Sequence, residues 1–109
     1  MRQFSVLVLD DDALRLGGPG PKSVRWDELD EVKLRFYSTW RDRTSGWMQL
    51  IVRGGGSAIR VDSALRGFED LSEAVFAEAA KRDLRFDSMT RQNAGALGLR
   101  LPEEVGRPY

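Results

Sequence analysis

Apolar residues alternate with a period of two up to about residue 62, and from residue 68 they fall on a helical stripe instead. No other feature of the chain constrains its fold as much, because a period of two suits a strand with one covered face and a period of 3.6 suits an amphipathic helix. The first pattern is broken at intervals by turn residues. QFSVLVLD alternates Phe4, Val6 and Val8 against Ser5, Leu7 and Leu9, and reads as one well-covered strand. ALRL, with Leu14 and Leu16 on one side, reads as a second strand, and Asp10, Asp11 and Asp12 between the two as a hairpin turn. GGPGP, at 17–21, is too rich in breakers for a strand interior. In SVRWDELDEVKLRFYS, a strand enters a short acidic turn and leaves as a longer strand. WMQLIVR and SAIRVD, joined by a glycine turn at 54–56, complete about six strands in the first 62 residues.

The helical stripe consists of Phe68, Leu71, Val75 and Ala79, widened by Phe76, and predicts one amphipathic helix of about 15 residues. Gly67 stands at its N-cap position; Glu69 and Asp70 occupy the first turn and Lys81 and Arg82 the last, as the helix dipole favours. The strands are the only large surface on which that stripe can lie. Residues 1–85 therefore read as the domain, and 86–109 as a short helix around Thr90 to Leu97, ended by Gly98, with a proline-bearing tail expected to be poorly ordered.

Composition narrows the chemistry. Lys plus Arg and Asp plus Glu both total 17, so the net charge is zero and no broad attraction to nucleic acid is expected. No cysteine is present to supply a disulfide, a thiolate nucleophile or a zinc-ribbon site, and no histidine to act as the usual general base or metal ligand. No apolar run approaches the roughly 18 residues of a membrane span. The N-terminal segment reads as a strand rather than a targeting signal, and a cytoplasmic location is the expectation.

The motifs that invite a catalytic or metal reading lack the context it needs. Asp10 to Asp12 and the cluster Asp27, Glu28, Asp30 and Glu31 offer carboxylate oxygens, but without EF-hand spacing, and they read as solvated turns. Neither glycine run opens a helix, and there is no GK[ST] motif to cradle a phosphate. Lys22-Ser23 and Ser88 to Thr90 are the suggestive neighbourhoods for a nucleophile, and neither has a recognisable motif around it. The chain is expected to be neither an enzyme nor the carrier of a cofactor or metal.

A run of antiparallel strands followed by one C-terminal amphipathic helix resembles the pleckstrin-homology-like fold. VRWDELDEVKLRF resembles the strand, acidic turn, strand segment of bacterial members of that superfamily, with Trp26, Leu29 and Val32 as inward anchors. RVDSALRGFEDLSEAVF is similar to the last strand leading through a Gly-Phe step into the capping helix. The resemblance spans about residues 3 to 82. It implies an α+β class, with a bent antiparallel sheet or partly open barrel of about six to seven strands capped by the helix. It also implies a binding or scaffold role toward a protein partner or a second copy, or else a membrane-proximal domain of a larger bacterial membrane protein that contacts lipid. Lipid-binding members carry basic residues in the first hairpin loop. Asp10 to Asp12 stand there in this chain, so an inositol-phosphate site is not expected.

One stretch remains, YSTWRDRTSGW at 37–47, which sets two arginines between two tryptophans. Trp40, Arg41, Arg43 and Trp47 are the candidate binding residues, because indole faces stack and guanidinium forks take bidentate anions. The competing expectation is that Trp47, at the start of a strand, belongs to the core, and that Phe36 and Tyr37 divide, one packed and the other exposed.

Overall fold

The computed structural model describes residues 1–39 and 42–101, and side chains for all of these except 38, 39 and 42–45. Seven strands and two helices are formed among the described residues. The strands are β1 (Arg2–Phe4), β2 (Leu7–Leu9), β3 (Ala13–Leu16), β4 (Lys22–Arg25), β5 (Leu29–Thr39), β6 (Asp42–Gly54) and β7 (Ser57–Asp62); the helices are α1 (Phe68–Lys81) and α2 (Ser88–Ala96). The class is α+β. The strands form two antiparallel sheets, β1-β2-β3-β4 and β5-β6-β7, which are not joined into a closed barrel.

The strand expected over QFSVLVLD is in fact a hairpin. Ser5, at φ +57°, and Val6 make the turn, and Phe4 pairs across it with Leu7. Phe4 and Leu7 are both buried while Val6 is 55% exposed, so the turn reverses the face assignment beyond it. The alternation hid the reversal because Phe4, Val6 and Val8 recur at every second position straight through the two-residue turn. The aspartates form a hairpin turn as expected, but it joins β2 to β3 and is the second hairpin turn, because Ser5 and Val6 make the first. Asp10 Oδ1 accepts from the backbone N–H of Asp12 (2.8 Å) and Ala13 (2.9 Å), and its Oδ2 accepts from Arg15 Nε (2.9 Å). The Arg15 guanidinium, helped by the Asp12 amide, holds the Asp10 carboxyl below its ordinary range.

A short 3-10 turn, Trp26–Glu28, carries the chain from the first sheet to the second. Trp26 is buried there, with its indole N–H donating to the Asp10 carbonyl (2.8 Å) and its backbone N–H to the Asp12 carbonyl (2.9 Å). The aromatic-acidic step is thereby an anchor between the sheets, and Leu29 and Val32 beyond it are buried too. At the same end of the second sheet, where Leu29 pairs with Gly54, Gly55 (φ +60°) and Gly56 (φ +81°) fill a two-residue turn that needs positive φ at both positions.

The core lies between the sheets and beneath α1, whose Phe68, Leu71, Val75, Phe76 and Ala79 are all buried against Leu14, Val24, Leu34, Leu50 and Ile59. Gly67 is the N-cap of α1. The chain then continues through a buried Phe86, edge-on to Phe76 at 5.2 Å, into α2. Asp87 caps α2 by accepting from the Thr90 N–H (2.8 Å), so the helix starts two residues earlier than its apolar pattern suggested. No helix among the described residues is long and apolar enough to cross a membrane. The expectation of a poorly ordered tail falls largely on residues 102–109, outside those described.

Candidate functional site

The long β5–β6 pair has two ends with different surroundings. Along its inner face, Val32, Leu34, Leu50 and Val52 are buried. β7 pairs with β6 only as far as Gln49, opposite Asp62. Beyond that point β5 and β6 continue as a two-stranded ribbon, with Phe36 opposite Met48, Tyr37 opposite Trp47, and Ser38 opposite Gly46. β5 runs to Thr39 and β6 starts at Asp42, so most of the stretch between Tyr37 and Trp47 is strand.

Trp47 does not enter the core. It is 42% exposed and stacks on Tyr37, ring centroids 5.8 Å apart and planes 25° off parallel. Paired residues share a face, so this stack lies on the outer face of the ribbon. Phe36 lies on the inner face and is 48% exposed. Neither Phe36 nor Tyr37 is packed, against the expectation that one would be. Both sit beyond the end of β7, where β6 keeps only the contact of Met48 with Ser63 on that side. Gly46 allows the Phe36 ring to lie over it: a Cβ there would fall 2.5 Å from Phe36 Cζ and 2.5 Å from the Tyr37 carbonyl oxygen. Of the residues singled out in the sequence, Trp47 is thus placed on an exposed aromatic patch. Trp40, Arg41 and the side chain of Arg43 lie outside the described residues. Phe36 and Tyr37 join the site without having been named for it.

Short of the ribbon, α2 covers the outer edge of β5. Thr90 Oγ1 accepts from the Leu34 N–H (3.1 Å), and Asn93 Nδ2 donates to the Leu34 carbonyl (2.7 Å). Two side chains one turn apart on a helix therefore supply the acceptor and the donor that a neighbouring strand would have offered. Arg35 fixes the start of α2 through two contacts to Asp87, at 2.7 and 3.2 Å. The Arg35 guanidinium holds the Asp87 carboxyl well below the usual carboxylate range, and the Thr90 contacts act in the same direction.

The remaining charged clusters are occupied with their neighbours. Asp27 pairs with Arg25 (3.2 Å), and Glu31 with Lys33 (3.4 Å) and Arg53 (3.3 Å). A cleft of about 440 Å³ beside the β6–β7 turn is lined by Asp30, Glu31, Arg53 and Ser57, but its Glu31 and Arg53 neutralise each other. No group of three or more acidic side chains among the described residues is arranged to hold a metal ion.

No protein-family model, curated protein or solved structure matches this chain.

Proposed function

We propose that the chain is a non-enzymatic, pleckstrin-homology-like binding module that takes a protein partner at the distal ribbon of β5 and β6. The four-plus-three division of strands followed by an amphipathic helix supports the fold part of this reading. One observation carries the binding part: Phe36, Tyr37 and Trp47, three large aromatics, are each 40–48% exposed on adjoining positions of one ribbon. Scattered exposed apolar residues need no explanation, but aromatics gathered on one element mark an interaction surface. The sequence adds Trp40, Arg41 and Arg43 on the same hairpin, and its composition fits a module working in a cytoplasm. The test is affinity capture from a bacterial lysate with the wild-type chain, a Tyr37→Ala/Trp47→Ala variant and an Arg41→Ala/Arg43→Ala variant. Specific partners lost with either variant support the reading, and an identical set captured by all three overturns it.

A second reading, a membrane-proximal domain touching lipid, is favoured by one feature: the exposed aromatics occupy both faces of the ribbon, as a side chain immersed in an interface requires. Co-sedimentation at low salt with phosphatidylcholine vesicles, with and without phosphatidylserine, separates the two. Binding that the Trp47→Ala change removes favours lipid, and its absence leaves the protein partner.

A further inference from the structure

The outer edge of β5 is a strand edge, and its hydrogen-bonding direction can be followed residue by residue. Leu34 turns both its N–H and its carbonyl toward α2, so it is not bonded to Leu50 opposite. The β5–β6 register is regular from Glu31 to Ser38, so the same direction recurs two residues on, at Phe36. Met48, the partner of Phe36, agrees: its N–H donates to Ser63 Oγ (2.9 Å) and its carbonyl accepts from the Ser63 N–H (2.8 Å), both away from β5. The backbone of Phe36 therefore faces out from the ribbon, beyond the reach of the Thr90 and Asn93 pair that closes Leu34.

We infer that the β5 edge from Phe36 to Thr39 receives an extended peptide segment of a partner protein as an added strand, with an apolar side chain of that segment packed beside Phe36. This rests on the protein-partner reading above and specifies its geometry. An outward N–H and carbonyl at ladder spacing are complementary to an extended backbone. Of the devices that blunt an edge, FYST, at 36–39, holds no lysine and no proline, and the register shift between Ser38 and Thr39 falls two residues beyond Phe36. The molecule also shows what this edge requires, because one step earlier it places a donor and an acceptor from α2 on Leu34. A second copy fits less well. With α2 seated at Leu34, two β5 edges overlap over only the four residues Phe36 to Thr39, a fraction of the roughly 20 residues a side in a standard stable interface. A short linear segment needs no more than that, because its main-chain hydrogen bonds and one or two side-chain contacts suffice for transient binding.

The probe is a phage-displayed library of linear peptides selected on the wild-type chain, with the enriched peptides synthesised and studied by amide hydrogen exchange and NMR. Slowing of the Phe36 amide by about tenfold or more on peptide binding, together with cross-strand contacts from the peptide to Phe36, supports the inference. Phe36→Pro removes the outward N–H without removing a ladder bond and is expected to weaken binding at least about tenfold. Should Phe36→Pro not fold, Phe36→Lys decides, with the same loss expected. Peptides that bind and shift Tyr37 and Trp47 while leaving the Phe36 amide unchanged overturn strand addition but leave the interaction module standing. Slowing of the Phe36 amide with protein concentration alone, without peptide, overturns it in favour of self-pairing. A failure to enrich any peptide overturns it too, and the lysate capture then decides separately whether the ribbon binds a folded protein.

Discussion

Leu34 and Phe36 are two residues apart on one strand, share its inner face and turn their backbones to the same edge, yet they meet opposite surroundings. At Leu34 the side chain is fully buried and both backbone groups are taken by α2. At Phe36 the side chain is 48% exposed, and the edge lies past the helix. The residues are comparable in apolarity, so local propensity does not make the difference. What separates them is how far α2 and β7 extend along the β5–β6 pair. The body of the sheet is closed by its neighbours, whereas the ribbon keeps strand geometry beyond the ends of α2 and β7.

The largest test of this contrast lies on β6, where Leu50 is buried opposite Leu34 and Trp47, three residues earlier, is half-exposed. Leu50→Ala removes core volume between the sheets and α1, and should cost about 2–5 kcal/mol. In a domain of this size that is a fall of at least about 8 °C in melting temperature. A loss under about 1 kcal/mol by urea titration would mean that the body is no better packed than the ribbon.

The α2 contacts come next. Asn93→Ala leaves the buried Leu34 carbonyl without its donor, and should cost about 1–3 kcal/mol. Thr90→Val keeps the shape but removes the acceptor for the Leu34 N–H, so its clearest signature is faster exchange of that one amide. If Leu34 exchanges as fast as Phe36 in the wild type, α2 does not close the edge.

Asp87 gives a smaller effect with a defined pH window. Its folded-state pKa is depressed by Arg35, so the fold favours the charged form. The stabilisation is therefore fully present above the ordinary aspartate range near pH 4, and is lost as pH falls through that range toward the depressed value. Asp87→Asn keeps an oxygen for the Thr90 N–H but loses the charge. Because the Arg35–Asp87 pair is partly exposed, the cost at neutral pH should be no more than about 1 kcal/mol. The gap between wild type and variant should stay constant between about pH 6 and 8, begin to narrow as pH falls below about 4, and close only as it passes through the depressed value. A gap that persists in acid would assign the loss to the cap rather than the ion pair.

How much of this was legible in the sequence follows the same division. The period change put the strands before the amphipathic helix, the α1 stripe and the Asp10 turn follow from residue type and spacing, and the Trp26 anchor was implied by the resemblance of VRWDELDEVKLRF to a strand, acidic turn, strand segment. Closure was not legible. Thr90 and Asn93 are unremarkable polar residues of a short helix, and their pairing with Leu34 spans 56 and 59 positions in the chain. Trp47 was expected in the core because an alternating strand pattern tells which residues share a face, and not whether anything lies over that face. The hairpin at Ser5 and Val6 was hidden for a related reason, since alternation does not register a two-residue turn that keeps Phe4 and Leu7 paired.

The smallest expected change in stability is the most informative about function. Trp47→Ala removes a large aromatic, which in a core would cost about 3–5 kcal/mol. On the ribbon it gives up the stack on Tyr37 and a partly buried ring, and should cost about 1 kcal/mol or less. Thermal unfolding followed by circular dichroism reads this directly. A loss of several kcal/mol would mean that the ring supports the fold, and the ribbon would then be an extension of the body rather than a surface held out for a partner. A near-neutral change leaves the folded chain without a use for an indole that it keeps in solvent, and places its role in the bound state.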